Sequence, residues 1–466
     1  MTMTNKNQLL LSFYGDDFTG ATDALEFLTR AGARTVLFTR PPNPEQLARY
    51  PALQAVGVAG STRSMTPEAM EAELRPALCT LRNLGAPHVH YKVCSTFDSS
   101  PTIGSIGRVI DIAAEIFETR FVPLLVGAPA LGRYCVFGNL FAQAAIGGEA
   151  TVFRLDRHPS MSKHPITPAD ESDLRLHLGR QTNKRVGLFD ILKLSLPGAE
   201  ARAELEGMLA SGPGVVLFDA LYPEQLQAIG GLIDAYASPE QPLFSVGSSG
   251  VEMALSAHWA GQGRLKPPQP SRGLSPVGPL LVGSGSCSPV TEAQIEWALS
   301  QGFAEVALDT AALAAGHEAE AVVRHAAEAA GTWLKAGRNV ILHTSKGRGD
   351  PRIAATERAF ARRGLDGAAA KALTAEVFGS ALGQVIRSAV ERTGVKRVVV
   401  AGGDTSGYVA RVLGIELLEA IYSVSPGVPL CRARAPGSPA EGLEINFKAG
   451  QAGSANYFGI FAAQKR

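Results

Sequence analysis

Short, uninterrupted apolar runs recur along this chain with room for a helix between them, and that alternation restricts the fold more than any other feature. The runs QLLLSF, RTVLF, LQAVGVA, VHYKVC, PLLVG, RVGLF, GVVLF and PLFSVG come first, followed by PLLVGS, AEVALD, NVILHT, RVVVAG and LEINFK. A strand with one wet face alternates apolar and polar residues. Runs without that alternation suit strands covered on both faces, as in parallel sheets. The segments between them carry helical spacing; Ala21, Ala24, Leu25, Leu28 and Ala31 are one such stripe. The pattern predicts an α/β chain of two domains, each with a mainly parallel sheet flanked by helices.

The boundary between the domains is expected in GQGRLKPPQPSRGLSPVGP, residues 261–279, which is proline-rich and lacks periodicity. This gives an N-terminal domain over 1–262, a linker over 263–278 and a C-terminal domain over 279–466. A second irregular stretch, RLDRHPSMSKHPITPADESD, interrupts the first domain and is either a surface loop or a segment that reaches over a ligand. Forty-four basic residues nearly cancel 43 acidic ones, so the chain as a whole has no electrostatic claim on nucleic acid or anionic lipid. Five widely spaced cysteines without a CxxC pair fit free thiols in a reducing compartment. No apolar stretch is long enough for a membrane span, and a cytoplasmic protein is expected.

In open parallel sheets ligands bind beyond the carboxyl ends of the strands, so the residues following each run carry the functional reading. The first run leads into Tyr14-Gly15-Asp16-Asp17-Phe18-Thr19-Gly20, the third into Gly60-Ser61-Thr62-Arg63, the fourth into Lys92-Val93-Cys94-Ser95-Thr96. Asp16 and Asp17 precede a helix. One can cap it while the other accepts a hydroxyl proton or holds a metal. Arg63 and Lys92 stand where they could clamp a carboxylate substrate, or are solvated surface charges. In the second half, Gly402-Gly403-Asp404-Thr405-Ser406-Gly407 follows RVVVA and opens a helix, where free amides and the helix dipole suit a nucleotide phosphate. Lys448-Ala449-Gly450-Gln451-Ala452-Gly453 is a second glycine loop, able to close over phosphates or simply to turn.

There is no GxxxxGK[ST], HExxH or GxSxG. His88 and His90 fall on the same face of one strand, a pair more often structural than metal-binding. Gly283-Ser284-Gly285-Ser286, with Asp309 after the next run, leaves open an NAD-dependent dehydrogenase of a small hydroxy acid, although Ser288 stands where the fingerprint wants its third glycine. A non-catalytic sugar-acid binding protein is a third alternative.

Taken together and in order, YGDDFTGATDALEFL, HYKVCSTFDSSPTIGSIG, VGSGSCSPVTEAQ, RVVVAGGDTSGYVARVLG and FKAGQAGSANYF resemble the four-carbon acid sugar kinase family, with its "ADD-TGA-D" start, "K-STxxGNIG" segment, "GGxT" loop and final "KSGxFG" loop. The resemblance implies a sugar-acid-binding N-terminal domain, a nucleotide-binding C-terminal domain, ATP and Mg2+. It further implies phosphorylation of the C4 hydroxyl of threonate, erythronate or 3-oxotetronate. By motif it places the sugar acid near Asp16, Asp17, Arg63, Lys92, Ser95 and Thr96, with Asp16 or Asp17 as base. By motif it places ATP against Ser284, Ser286, Gly402, Gly403, Asp404, Thr405 and the loop of Gly450 and Gly453. A homodimer is expected as well. The chain departs from the common pattern in Ser99-Ser100-Pro101-Thr102, although its STFD form resembles the 3-oxotetronate branch, and in Gln451-Ala452-Gly453 at the last loop.

Overall fold

Leu11–Gly15 has no exposed residue, and its neighbours on both sides run parallel to it. The computed structural model describes residues 9–146, 149–164, 166–266, 273–316, 318–365 and 367–462; residues 267–272 of the expected linker and Gln8 of the first run fall outside them. The chain divides into two units, Met1–Gln269 and Pro270–Arg466.

The N-terminal unit contributes β1 (Leu11–Gly15), β2 (Thr35–Phe38), β3 (Ala55–Ala59), β4 (His88–Lys92), β5 (Val122–Leu125), β6 (Arg133–Val136), β7 (Asn139–Ile146), β8 (Glu149–Arg154), β9 (Val186–Phe189), β10 (Val215–Phe218) and β11 (Leu243–Gly247). Its main sheet runs β2-β3-β1-β4-β11-β5-β10-β9 and every pairing is parallel. The chain leaves β1 toward β2 and β3, then crosses to β4 on the other side. The carboxyl ends of β1, β3 and β4 therefore border a topological switch point, where open α/β sheets form their ligand crevice. The glycine in β3 is steric: Gly57 lies opposite Phe13 in register, and a Cβ there would sit 2.1 Å from the phenyl ring. The stripe of the first helix, Phe18–Arg30, is buried at Ala21, Ala24, Leu25 and Leu28.

Strands β6, β7 and β8 form a separate antiparallel sheet that the apolar runs did not reveal. Asp219, just beyond β10 and fully buried, fastens it. Its carboxylate accepts from the backbone N–H of Phe137 (2.6 Å) and Gly138 (2.9 Å) in the β6–β7 turn, and from Ile191 N–H (3.1 Å).

The C-terminal unit contributes β12 (Leu280–Ser284), β13 (Ala304–Ala307), β14 (Val340–His343), β15 (Arg397–Ala401), β16 (Leu417–Ser425), β17 (Val428–Arg434) and β18 (Glu444–Lys448). The order β13-β14-β12-β15-β18 is parallel, and β17 and β16 continue it antiparallel. A second switch point lies between β12 and β15. At the opposite end of β15, Arg397 is 2% exposed, pairs with Glu444 at 2.7 Å and donates to the carbonyls of Phe461 and Ser275, tying both ends of the unit to its sheet. Among the described residues, no helix is long and apolar enough to cross a membrane.

Replacing Asp219 with Ala would leave three N–H groups, that of Gly138 buried, without this acceptor. The expected loss of stability is about 2–4 kcal/mol, read by urea unfolding; a loss below about 0.5 kcal/mol would show that the β6–β8 sheet does not depend on this carboxylate.

Candidate active site

Asp17 caps the helix Phe18–Arg30, accepting from Gly20 N–H at 2.7 Å and from the Thr19 hydroxyl at 2.9 Å. Asp16 is turned inward, 2% exposed. Arg63 joins the two: its Nε and Nη2 donate to the Asp16 oxygens at 3.0 and 2.7 Å, and its Nη1 donates to Asp17 Oδ2 at 2.8 Å. Three of the five guanidinium donors are thus engaged by the acid pair. The backbone fixes this arrangement, since Asp16 N–H donates to Lys92 O and Arg63 N–H to Asp16 O. Burial raises the Asp16 carboxyl above its usual range, with Arg63 opposing. The Asp17 side chain keeps 17% of its surface exposed against 3% for Asp16, so it is the more accessible of the two.

Neither Arg63 nor Lys92 is a solvated surface charge. Lys92 is 1% exposed, and its Nζ donates to Val93 O at 3.2 Å and lies 3.4 Å from Asp23 Oδ2. Asp23 in turn accepts from the Ser249 hydroxyl beyond β11. A Cβ on Gly20 would lie 2.5 Å from Asp17 Oδ1 and 3.5 Å from both Arg63 Nη2 and Lys92 Nζ, so the three groups gather around that one glycine. Ser95 is half-buried and Thr96 buried; the Thr96 hydroxyl donates to Asp98 at 2.8 Å, and Phe97 between them holds φ 56°. The irregular stretch after β8 packs on this loop, with Leu155, Thr167, Ala169 and Glu171 lining a small cavity beside Thr96 and Phe97.

Behind Lys92 lies a group that the sequence reading missed. Glu252 is fully buried, neither carboxyl oxygen has a hydrogen-bond partner, and His90 Nε2 is 3.5 Å away. Burial pushes its carboxyl up to about 8, with Lys92 opposing. His90 also bonds Ser245, and His88 bonds Asp234 at 2.9 Å.

In the C-terminal unit the carboxyl ends of β12, β15 and β18 meet through small residues. Gly402 holds φ 128°, which only glycine adopts at ease, and the helix Gly403–Val412 starts on it without a side-chain cap. A Cβ on Gly285 or Gly402 would lie 2.2 or 2.7 Å from the Thr405 hydroxyl, and one on Gly450 would lie 2.6 Å from the Ser286 hydroxyl. Ser284 is buried with its hydroxyl unpartnered. Gly403 and Asp404 form the outer edge of the turn, Asp404 exposed. The loop of Gly450 and Gly453 is tied down by the Ser288 and Thr291 hydroxyls, which donate to Gly450 O at 2.5 and 2.8 Å. It is also held by Lys448, 1% exposed, whose Nζ donates to Thr291 Oγ1 and the carbonyls of Ala449 and Gly450. Burial pulls the Lys448 ammonium down to about 7. A lysine ending a strand just before a glycine loop was the available signal for it. Asp309, the residue on which the dehydrogenase alternative leaned, caps the helix Thr310–Ala315 through Ala312 N–H. Among the described residues no cluster of three or more His, Cys, Asp or Glu could hold a metal ion.

These two strand-end sites, one ionic and one lined by glycines and hydroxyls, lie one in each unit of a two-unit α/β protein. The family model for a sugar-binding N-terminal domain matches residues 11–255, and that for a nucleotide-binding C-terminal domain matches 281–458. The chain belongs to the four-carbon acid sugar kinase family. It is 44% identical to a 3-oxo-isoapionate kinase of Paraburkholderia graminis, over 97% of this chain and 94% of that protein. To a 3-oxo-tetronate kinase of Methylobacterium radiotolerans it is 34% identical, over 97% of this chain and 98% of the other. A crystal structure from Salmonella typhimurium LT2, described as a tRNA synthase, shares the fold with a TM-score of 0.74 and 26% identity, covering 97% and 98% of the two chains. These relatives lend no support to the dehydrogenase or to the silent binding protein.

The Glu252 carboxyl links stability to pH. Between its usual value of 4.5 and about 8 the folded state binds more protons than the unfolded state, so stability falls as pH rises through that window. Glu252→Gln, neutral throughout, is expected to match the wild type near pH 4.5 and to exceed it by about 1–3 kcal/mol at pH 8. Urea unfolding at the two pH values measures this, and an equal difference at both would mean that Glu252 is ionised across the range.

Proposed function

We propose that this protein transfers the γ-phosphoryl group of ATP to the terminal hydroxyl of a 3-oxo sugar acid. The observation that carries the reading is the Asp16–Arg63–Asp17 triad with Lys92 at the switch point of one unit, in a chain 44% identical along nearly its full length to a 3-oxo-isoapionate kinase. Phosphoryl transfer asks a protein for positioning and charge neutralisation more than for covalent chemistry, and the two sites divide that work.

In the N-terminal unit Asp17 is the carboxylate open to a substrate hydroxyl, and it orients that hydroxyl and accepts its proton. Asp16, closed off and held on two atoms by Arg63, fixes the guanidinium that in turn orients Asp17. Arg63 and Lys92 offset the charge of Asp16, Asp17 and Asp23, and Ser95 and Thr96 offer hydroxyls to the acid. In the C-terminal unit the ATP phosphates fit the uncapped helix start at Gly402, Gly403 and Thr405, with the unpartnered Ser284 hydroxyl, Ser286 and the loop of Gly450 and Gly453 beside it. Asp404, exposed in the same turn, is the carboxylate that would hold Mg2+, which would neutralise charge on the transferring group. Lys448, short of a counter-charge, gains proton affinity when phosphate approaches.

The test is ADP release across 3-oxo-isoapionate, 3-oxotetronate, D-threonate and D-erythronate, with highest kcat/KM expected for a 3-oxo acid. Turnover of none of these, alongside turnover of a neutral sugar, would refute the substrate class. Asp17→Asn is expected to lower kcat about 100-fold or more. Asp16→Asn should instead destabilise the fold by about 1–3 kcal/mol, since it removes the buried carboxylate that takes two of the three Arg63 hydrogen bonds and leaves Asp17 as its one partner of the pair. Near-normal turnover in Asp17→Asn would remove Asp17 as the base.

A further inference from the structure

Arg133, half-buried, differs from Arg63 and Lys92, the cations of the triad site in the N-terminal unit. Arg63 is paired with Asp16 and Asp17, and Lys92 lies near Asp23. Arg133, the first residue of β6, forms no ion pair with a carboxylate among the described residues. Its Nη1 donates to the carbonyls of Leu131, Gly132 and Gln143 at 3.1, 3.2 and 3.3 Å. These contacts fix the guanidinium by one corner. Its Nε is buried without an acceptor, and Nη2 donates to no described group. The Nε–Nη2 edge is one of the forks with which a guanidinium takes a carboxylate in two parallel hydrogen bonds, and here it is built but unmatched. An unsatisfied buried donor is costly unless something arrives to accept from it.

Its location is informative. Arg133 pairs with Ala128, three residues beyond the carboxyl end of β5, and that end lies on the same edge of the parallel sheet as the carboxyl ends of β1 and β4. Arg133 therefore stands on the strand-end edge that also carries the Asp16–Asp17–Arg63 triad and the loop that follows β4. Asp98 is engaged by the Thr96 hydroxyl. Phe97, at φ 56°, is held in a conformation costly for a bulky residue, the kind of strain that gathers where chain meets ligand.

We propose that Arg133 anchors the carboxylate of the acceptor, its Nε–Nη2 edge gripping the acid group while the terminal hydroxyl lies toward Asp17. This rests on the reading of the protein as a sugar-acid kinase and names the group that makes it specific for acids.

The experiment compares wild type, Arg133→Met and Arg133→Lys on 3-oxo-isoapionate, 3-oxotetronate and the carboxamide of whichever acid is the better substrate. Arg133→Met is expected to raise KM for the acid about 10- to 100-fold, to leave KM for ATP unchanged, and to abolish the preference for acid over amide. Arg133→Lys should fall between, with about a 3- to 10-fold rise, and it supplies the same comparison if Arg133→Met does not fold. A purely structural role would weaken acid and amide alike. An active wild type with the acid-over-amide preference intact in the variants overturns the anchor and leaves the kinase reading standing. A wild type that phosphorylates neither acid overturns both.

Discussion

A guanidinium held between two adjacent carboxylates is the contact on which the strand-end site of the N-terminal unit depends. Asp16 and Asp17 are consecutive residues, so their charges cannot be separated by folding. Without Arg63 between them, repulsion and burial would drive one to take up a proton. Arg63 opposes that only because β1, β3 and β4 end level with one another: Gly15 is in register with both Ala59 and Lys92. A slip of one residue in either pairing would carry Arg63 or Lys92 away from the acid pair and turn neighbouring side chains to the wrong face. The fully buried runs that specify the parallel sheet thus specify the electrostatics of the site.

The C-terminal unit meets a different electrostatic demand. The ends of β12, β15 and β18 offer backbone, hydroxyls and the Lys448 amine, which lies among neutral acceptors. Burial makes a charged lysine unfavourable there, and an approaching anion reverses the balance. Glycine at 285, 402 and 450 is required for packing as well as for turning, because in each case a neighbouring hydroxyl occupies the space a Cβ would need. Those hydroxyls are the groups a phosphate oxygen would meet.

The parallel strands were legible because burial on both faces leaves a continuous apolar run, as in RVVVA of β15. The hairpins were not. In β8 most residues are exposed, and β16–β17 turns through Pro426-Gly427 with half-buried residues on either side, so neither produces such a run. At the sites, the residues that announce themselves follow a run directly: Asp16, Asp17, Arg63, Lys92 and the glycines of 402–407. Glu252 does not, because it lies within the helix Gly250–Gly261, and only the lone acid in GVEMALSAHWA hints that it faces inward. Arg133 was hidden for the same reason as its strand: the antiparallel insertion has no pattern that distinguishes a buried arginine from a surface one.

That insertion has a physical consequence for substrate choice. Strands β1, β3 and β4 cannot vary much without disturbing the register that holds the acid pair. The β6–β8 sheet and the segment that follows it are attached differently, through Asp219 and through packing on the Cys94–Ser99 loop. Substitutions there alter what lies beside Thr96 and Phe97 while leaving the Asp16–Arg63–Asp17 geometry in place. On the function proposed for the two sites, phosphoryl acceptance and acid selection are separable in this fold, the first resting on the sheet and the second on what is inserted into it.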